Sequence, residues 1–131
     1  MELEKLMPLI ISGISALVAG VSACYIRKAN KLIALQLESQ IRARIDDAYK
    51  EILNFKDGEL LDSVIENYFN AYDYACKKYL NKELNRKNFR GMYTHEIKNL
   101  CTKEIYVKQR KNGDFRDIKK VYEEIKKIGD K

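Results

Sequence analysis

Proline occurs once in 131 residues, histidine once, glycine six times and tryptophan never. So few breakers exclude the turn-rich β architectures, which need Gly and Pro at regular intervals. A chain of this length is a single domain's worth of protein, which excludes two-domain enzymes and large nucleotide-binding barrels. A lone histidine rules out a His-rich metal site and an acid–base His pair within one chain. Cys24, Cys76 and Cys101 are odd in number, far apart and without a CxxC pair, a pattern that fits neither a disulfide framework nor a thiolate zinc site. Gly-rich phosphate loops, HExxH and GxSxG are absent as well. The adjacent carboxylates Asp46-Asp47 and Glu123-Glu124 diverge on a helix and read as solvated faces. No metal and no cofactor is expected.

Charge is missing from one stretch altogether. Leu6 to Ile26 is a run of 21 uncharged residues, and at 1.5 Å per residue a helix of that length spans roughly 30 Å, the thickness of a bilayer's hydrocarbon core. Beyond Ile26 there are 24 Lys and Arg against 17 Asp and Glu, a charge of +7 that Glu2, Glu4 and Lys5 reduce to +6 for the whole chain. A basic surface of this kind suits a membrane face or nucleic acid, and it also occurs simply as a solvated Lys-rich surface. The pattern divides the chain into a transmembrane helix over 1–26 and a cytoplasmic helical bundle over 27–131. Arg27, Lys28 and Lys31 follow the apolar run directly and hold that side in the cytoplasm. The expectation is a single-pass protein of the bacterial inner membrane, N-terminus out and C-terminal bundle in. Val21-Ser22-Ala23-Cys24 also resembles a lipoprotein cleavage box, but the acidic opening Met1-Glu2-Leu3-Glu4-Lys5 is unlike a secretory signal.

The span is rich in small residues. Ser12, Ala16, Gly20 and Cys24 recur every fourth position, and Ser15, Ala19 and Ala23 form a second stripe beside them. Small residues at this spacing let helix backbones approach closely, which is how spans associate in lipid. Two adjacent stripes suit a helix with a neighbour on each side, the geometry of a ring, and Ser12, Ala16, Gly20, Ser15, Ala19 and Ala23 are the expected oligomer or pore-lining positions. The alternative is the ordinary abundance of Gly, Ala and Ser in bacterial spans.

After Ile26 the periodicity is helical. Ile33, Leu37, Ile41, Ile45, Ala48, Ile52 and Phe55 step by four or three, so the span is expected to run on into this helix and end at Asp57-Gly58. Leu61, Ile65, Tyr68, Tyr72, Ala75 and Tyr79 mark a second helix, widened by Val64, Phe69 and Cys76. Asn81 to Asn88 reads as a turn with a short helical piece around Leu84. Phe89, Met92, Tyr93, Ile97, Leu100 and Cys101 mark a third helix. Val107 to Gly113 reads as a charged loop. Asp114 is expected to cap a last helix carrying Phe115, Ile118, Val121, Tyr122, Ile125 and Ile128. The fold class is thus all-α: a transmembrane helix continuing into a four-helix bundle. The nine tyrosines lie mostly on these stripes, as core or interface residues.

Arg90-Gly91-Met92-Tyr93-Thr94-His95 is the one spacing that could carry chemistry. On a helix Arg90 and His95 are offset by about 140°, so one chain presents them poorly together. Paired across an interface, the guanidinium could hold a phosphate while the imidazole moves a proton, which suffices to cleave RNA without metal. The alternative places His95 on the surface and pairs Arg90 with an acid such as Glu96 or Asp73.

Arg90 to His95 fits the RxxxxH signature of HEPN-type helical domains, on a late helix of a four-helix unit. With a membrane span in front, the layout resembles the small transmembrane accessory proteins of type VI-B CRISPR systems. The resemblance implies a HEPN-like bundle, assembly of copies into a ring with a membrane pore, and a role in antiphage defence beside an RNA-guided nuclease. Gly91 stands where active HEPN ribonucleases commonly carry a polar residue. Three readings follow: a membrane-embedded homo-oligomer that forms a pore or depolarises the membrane, a membrane-tethered ribonuclease acting on RNA through Arg90 and His95, and a non-catalytic adaptor for a protein partner.

Overall fold

In a computed structural model the described residues, 2–56 and 61–129, form helices joined by short turns, with no strand among them. Two units are distinguished, Met1–Leu35 and Gln36–Lys131. Helix α1 (Glu2–Leu53) contributes to both. The packing boundary at Leu35 lies nine residues beyond the charge boundary at Ile26, and Ile33, expected on the buried stripe, is 61% exposed.

In the first unit every described residue up to Ile33 is exposed. Pro8 lies inside α1. The backbone acceptor it leaves without an N–H is the carbonyl of Glu4, on the charged side of the apolar run, where water can serve it.

The second unit is built from the end of α1, then α2 (Leu61–Leu80), α3 (Arg86–Thr102), a 3-10 turn (Glu104–Tyr106), α4 (Val107–Asn112) and α5 (Arg116–Gly129). The Asp57-Gly58 stop lies outside the described residues; α1 ends at Leu53. Ile41, Ile45 and Ala48 of α1 join Ile65, Phe69, Tyr72 and Tyr79 of α2, Phe89, Ile97 and Leu100 of α3, and Ile118 and Val121 of α5 in one core. Its centre is aromatic. The Tyr79 and Phe89 rings stack at 4.7 Å, Phe89 meets Tyr93 at 5.1 Å, and Phe69 meets Phe115 at 4.8 Å and Tyr106 at 5.4 Å. Fully burying such a side chain contributes about 1.5–3 kcal/mol. Met92 and Ile128, expected in the core, are 52% and 48% exposed.

Between α2 and α3 the chain makes a tight reversal in place of the short helical piece expected around Leu84. The Glu83 N–H donates to the Lys78 carbonyl at 3.1 Å and the Lys82 N–H to that of Tyr79 at 3.0 Å, while Lys82 takes a φ of 62°. This is the paired-bond ending of a helix with its left-handed residue, and it turns Leu84 into the core. A lysine in that conformation carries a Cβ penalty that glycine lacks. Lys82→Gly is therefore expected to stabilise the unit by roughly 0.5–1 kcal/mol, read as a higher urea midpoint; a lower midpoint contradicts it.

Asn85 caps α3, its side chain accepting from the Asn88 N–H at 3.0 Å, and its own N–H donates to Glu38 of α1 at 3.1 Å. At the other end Arg110 donates to the carbonyls of Leu100 and Lys103 at 2.9 and 2.7 Å. Those two bonds bring the segment expected as a loop, Val107 to Gly113, against α3, where residues 107–112 form α4. Asn112-Gly113 acts as the end of that helix. Gly113 is needed for close approach, because a Cβ there would lie 2.2 Å from the Phe115 ring.

The capping carboxylate of α5 comes from α2. Asp73 accepts from the Ile118 N–H at 3.2 Å, whereas Asp114, expected there, pairs with Arg116 at 3.0 Å. Burial pushes the Asp73 carboxyl above its ordinary range, with the Ile118 and Asp117 N–H groups opposing. A carboxyl raised in the folded state binds its proton more tightly there than in the unfolded chain. Its contribution is complete below the ordinary aspartate range and is lost as pH rises through the raised value. Asp73→Asn keeps the acceptor and removes the charge. Its unfolding midpoint is expected above wild type at neutral pH, the gap narrowing toward pH 4. Asp73→Ala is expected to lose about 1 kcal/mol at either pH. A gap between Asn and Asp that does not change with pH contradicts the assignment.

Candidate functional site

Two regions bear on function, one in each unit. On α1 the residues Ala16, Gly20 and Cys24 form the floor of a shallow groove, bordered by Leu17, Val21 and Tyr25 and closed by Lys28. Ser12 continues the same row. Ser15, Ala19 and Ala23 follow it about 60° around the helix, since three residues advance 300°. All of these side chains are exposed. A Cβ added to Gly20 would meet nothing within 4 Å, so no contact inside the chain requires glycine at that position.

In the second unit α3 carries Arg90 and His95, and they have different surroundings. Arg90 is half-buried and donates from Nη1 to the Tyr79 hydroxyl at 3.3 Å; that hydroxyl donates to Glu124 Oε1 on α5, also at 3.3 Å. Arg86, one turn earlier on α3, approaches the same Glu124 oxygen at 3.6 Å and lies over the Tyr79 ring at 4.9 Å. Its Nε is buried without an acceptor. Three helices are tied together at this point: Arg86 reaches the Glu124 carboxylate directly, and Arg90 reaches it only through the Tyr79 hydroxyl.

His95 is exposed and makes no hydrogen bond or ion pair among the described residues. Arg90 does not pair with Glu96 or Asp73: Glu96 accepts from Asn99 at 3.2 Å, and Asp73 caps α5. Within one chain, then, the guanidinium is engaged in an interhelical network while the imidazole stands in solvent.

No family model matches the chain, and no curated protein or solved structure does either. Among the described residues no cluster of three or more His, Cys, Asp or Glu is arranged to hold a metal. Burial pushes the thiols of Cys76 and Cys101 upward, which keeps both protonated and poor as nucleophiles at neutral pH. The hydroxyls of Tyr68, Tyr72 and Tyr93 are raised for the same reason. These groups lie in the core or pack against it.

The Tyr79–Glu124–Arg86 network was not anticipated from the sequence. Its one local signal is the four-residue spacing of Arg86 and Arg90, which places both on a single face of α3. Buried Gln109 on α4 was missed too, because it lies in the segment read as a loop.

Proposed function

We propose that the chain is a membrane-anchored protein that assembles with copies of itself through α1 and changes the permeability of the membrane. The observation that carries this reading is the exposure of every residue of the 21-residue uncharged run Leu6 to Ile26. An apolar surface that long far exceeds the few hundred Å² a soluble monomer leaves uncovered. A bilayer covers it, and the groove along Ala16, Gly20 and Cys24 offers a second helix a close approach. Arg27, Lys28 and Lys31 then favour a cytoplasmic location for the C-terminal unit. The resemblance to the type VI-B accessory proteins adds a setting: a pore-forming or depolarising accessory in CRISPR-linked antiphage defence, beside an RNA-guided nuclease.

The test is a membrane-potential or dye-leak measurement on cells expressing the chain, wild type against Gly20→Leu. The open space around Gly20 means that leucine there leaves the isolated helix undisturbed, so an effect reports on contacts between copies. Equal leakage from the two, at equal expression, removes the support for this reading. His95→Ala is expected to leave leakage unchanged. Loss of RNA cleavage by that variant would instead favour the tethered ribonuclease, in which a second copy completes the site.

A further inference from the structure

The cations Arg27, Lys28 and Lys31 stand together at one end of the apolar run and have no counter-charge of their own. All three are exposed, and none makes an ion pair among the described residues. Between Glu4 and Glu38 the chain holds no carboxylate at all. Glu38 lies seven residues past Lys31, about 10.5 Å along the axis, and accepts from the Asn85 N–H. The three positive charges are gathered on a stretch of α1 about 6 Å long.

Their placement around the helix matters as much as their number. Successive residues turn about 100°, so Arg27, Lys31 and Lys28 fall within an arc of about 100°, and Gly20 and Cys24 fall inside the same arc. Lys28 itself lines the groove that these small residues floor. Copies that meet along this groove bring both sets of cations to one contact. At an interaxial distance of ~8–10 Å, close to the Debye length of about 8 Å at physiological salt, their repulsion is only partly screened. The neighbour supplies no carboxylate to relieve it, because copies inserted in one orientation hold their Glu2 and Glu4 at the far end of the span. The balancing anion must come from outside the chain. Tyr25, exposed on the border of the groove near Lys28, is a residue of the membrane–water boundary, the level at which lipid phosphates lie.

We propose that an anionic phospholipid docks at Arg27, Lys28 and Lys31 and licenses assembly, its headgroup phosphate accepting from the cations of two neighbouring copies. An anionic lipid brings net negative charge, whereas a zwitterionic one cancels its phosphate with its own ammonium. The proposal rests on the assembly reading and adds to it the class of lipid on which assembly depends.

The experiment reconstitutes the full chain, fused at its C-terminus to a donor or an acceptor fluorescent protein, into vesicles of phosphatidylcholine alone or mixed with phosphatidylglycerol. Energy transfer between copies is read against the protein-to-lipid ratio. Wild type is expected to associate at least about tenfold more tightly in the mixed vesicles, ~1.4 kcal/mol. The triple variant Arg27→Gln, Lys28→Gln, Lys31→Gln is expected to associate equally in both, since it has neither the repulsion nor the phosphate site. Inorganic phosphate added to phosphatidylcholine vesicles is expected to leave wild type weakly associated. Equal association of wild type in the two lipids, an unchanged lipid dependence in the triple variant, or full rescue by inorganic phosphate overturns the proposal and leaves the assembly reading standing. Energy transfer no greater than that of Gly20→Leu in either lipid removes the assembly reading, and the proposal with it.

Discussion

Tyr79→Ala is expected to lower the unfolding free energy by about 3–5 kcal/mol, the range for removing a large aromatic from a packed core. Tyr79 is fully buried, stacked on Phe89 and covered by Arg86. Small domains have only about 5–15 kcal/mol to lose, so the variant should unfold at a much lower urea concentration than wild type. Tyr79→Phe separates packing from polarity. It keeps the ring and deletes the hydroxyl that accepts from Arg90 and donates to Glu124. The expected loss is roughly 1–2 kcal/mol, because both partners are half-buried and Arg86 still reaches Glu124. Urea unfolding followed by circular dichroism on the full chain in micelles would measure the pair. Equal losses for Phe and Ala would mean that the hydroxyl carries the whole effect and that the stacked ring contributes nothing. A neutral Phe variant would mean that the network adds no stability.

The second large effect is on assembly. If copies meet along the groove floored by Ala16, Gly20 and Cys24, leucine at Gly20 fills the space a neighbouring backbone would occupy. A change of about tenfold in association, ~1.4 kcal/mol, is expected. Cys24 offers the readout: it is exposed on the same row as Gly20, whereas Cys76 is buried and Cys101 half-buried. Oxidative or bismaleimide cross-linking in membranes should give Cys24-linked dimers in wild type and few in Gly20→Leu. Gly13→Leu is the control. A Cβ at Gly13 also meets nothing within 4 Å, but Gly13 stands on the bordering row of Leu17 and Val21. Its cross-linking should change much less. Equal loss from both glycines would indicate a nonspecific cost of bulk in the span, and no loss from either would place the contact elsewhere.

Much of this architecture is legible in the sequence. The uncharged run, the helical steps through Ile41, Ile45 and Ala48, and the series from Ile65 to Tyr79 depend only on local spacing. A 3.6-residue period is repeated often enough in each segment to outweigh single exceptions. What was misread has a common physical cause. The α4 segment reads as a loop because its charged residues show no apolar period; Arg110 holds it against carbonyls seven and ten residues earlier. Asp114 was the nearest capping residue to α5, but the bond to Ile118 comes from Asp73, 45 residues away. Met92 and Ile128 kept the helical period and still lie at the surface, because a period identifies a face without saying how wide a strip of it is covered.

The site divides in the same way. An α1 stripe of small residues is a property of sequence on a helix, and the structure adds the groove and the open space around Gly20. Arg90 and His95 are five residues apart in the chain, and spacing alone predicts their angular separation. Only the tertiary structure decided that Arg90 meets a tyrosine hydroxyl from one helix and, through it, a glutamate from another, while His95 stays in solvent. By itself the sequence determined that the chain is helical and that one end carries a long uncharged, apolar run, since both follow from residues close together along the backbone. Caps and ion pairs required the fold, because each depends on groups that only packing brings within about 3 Å.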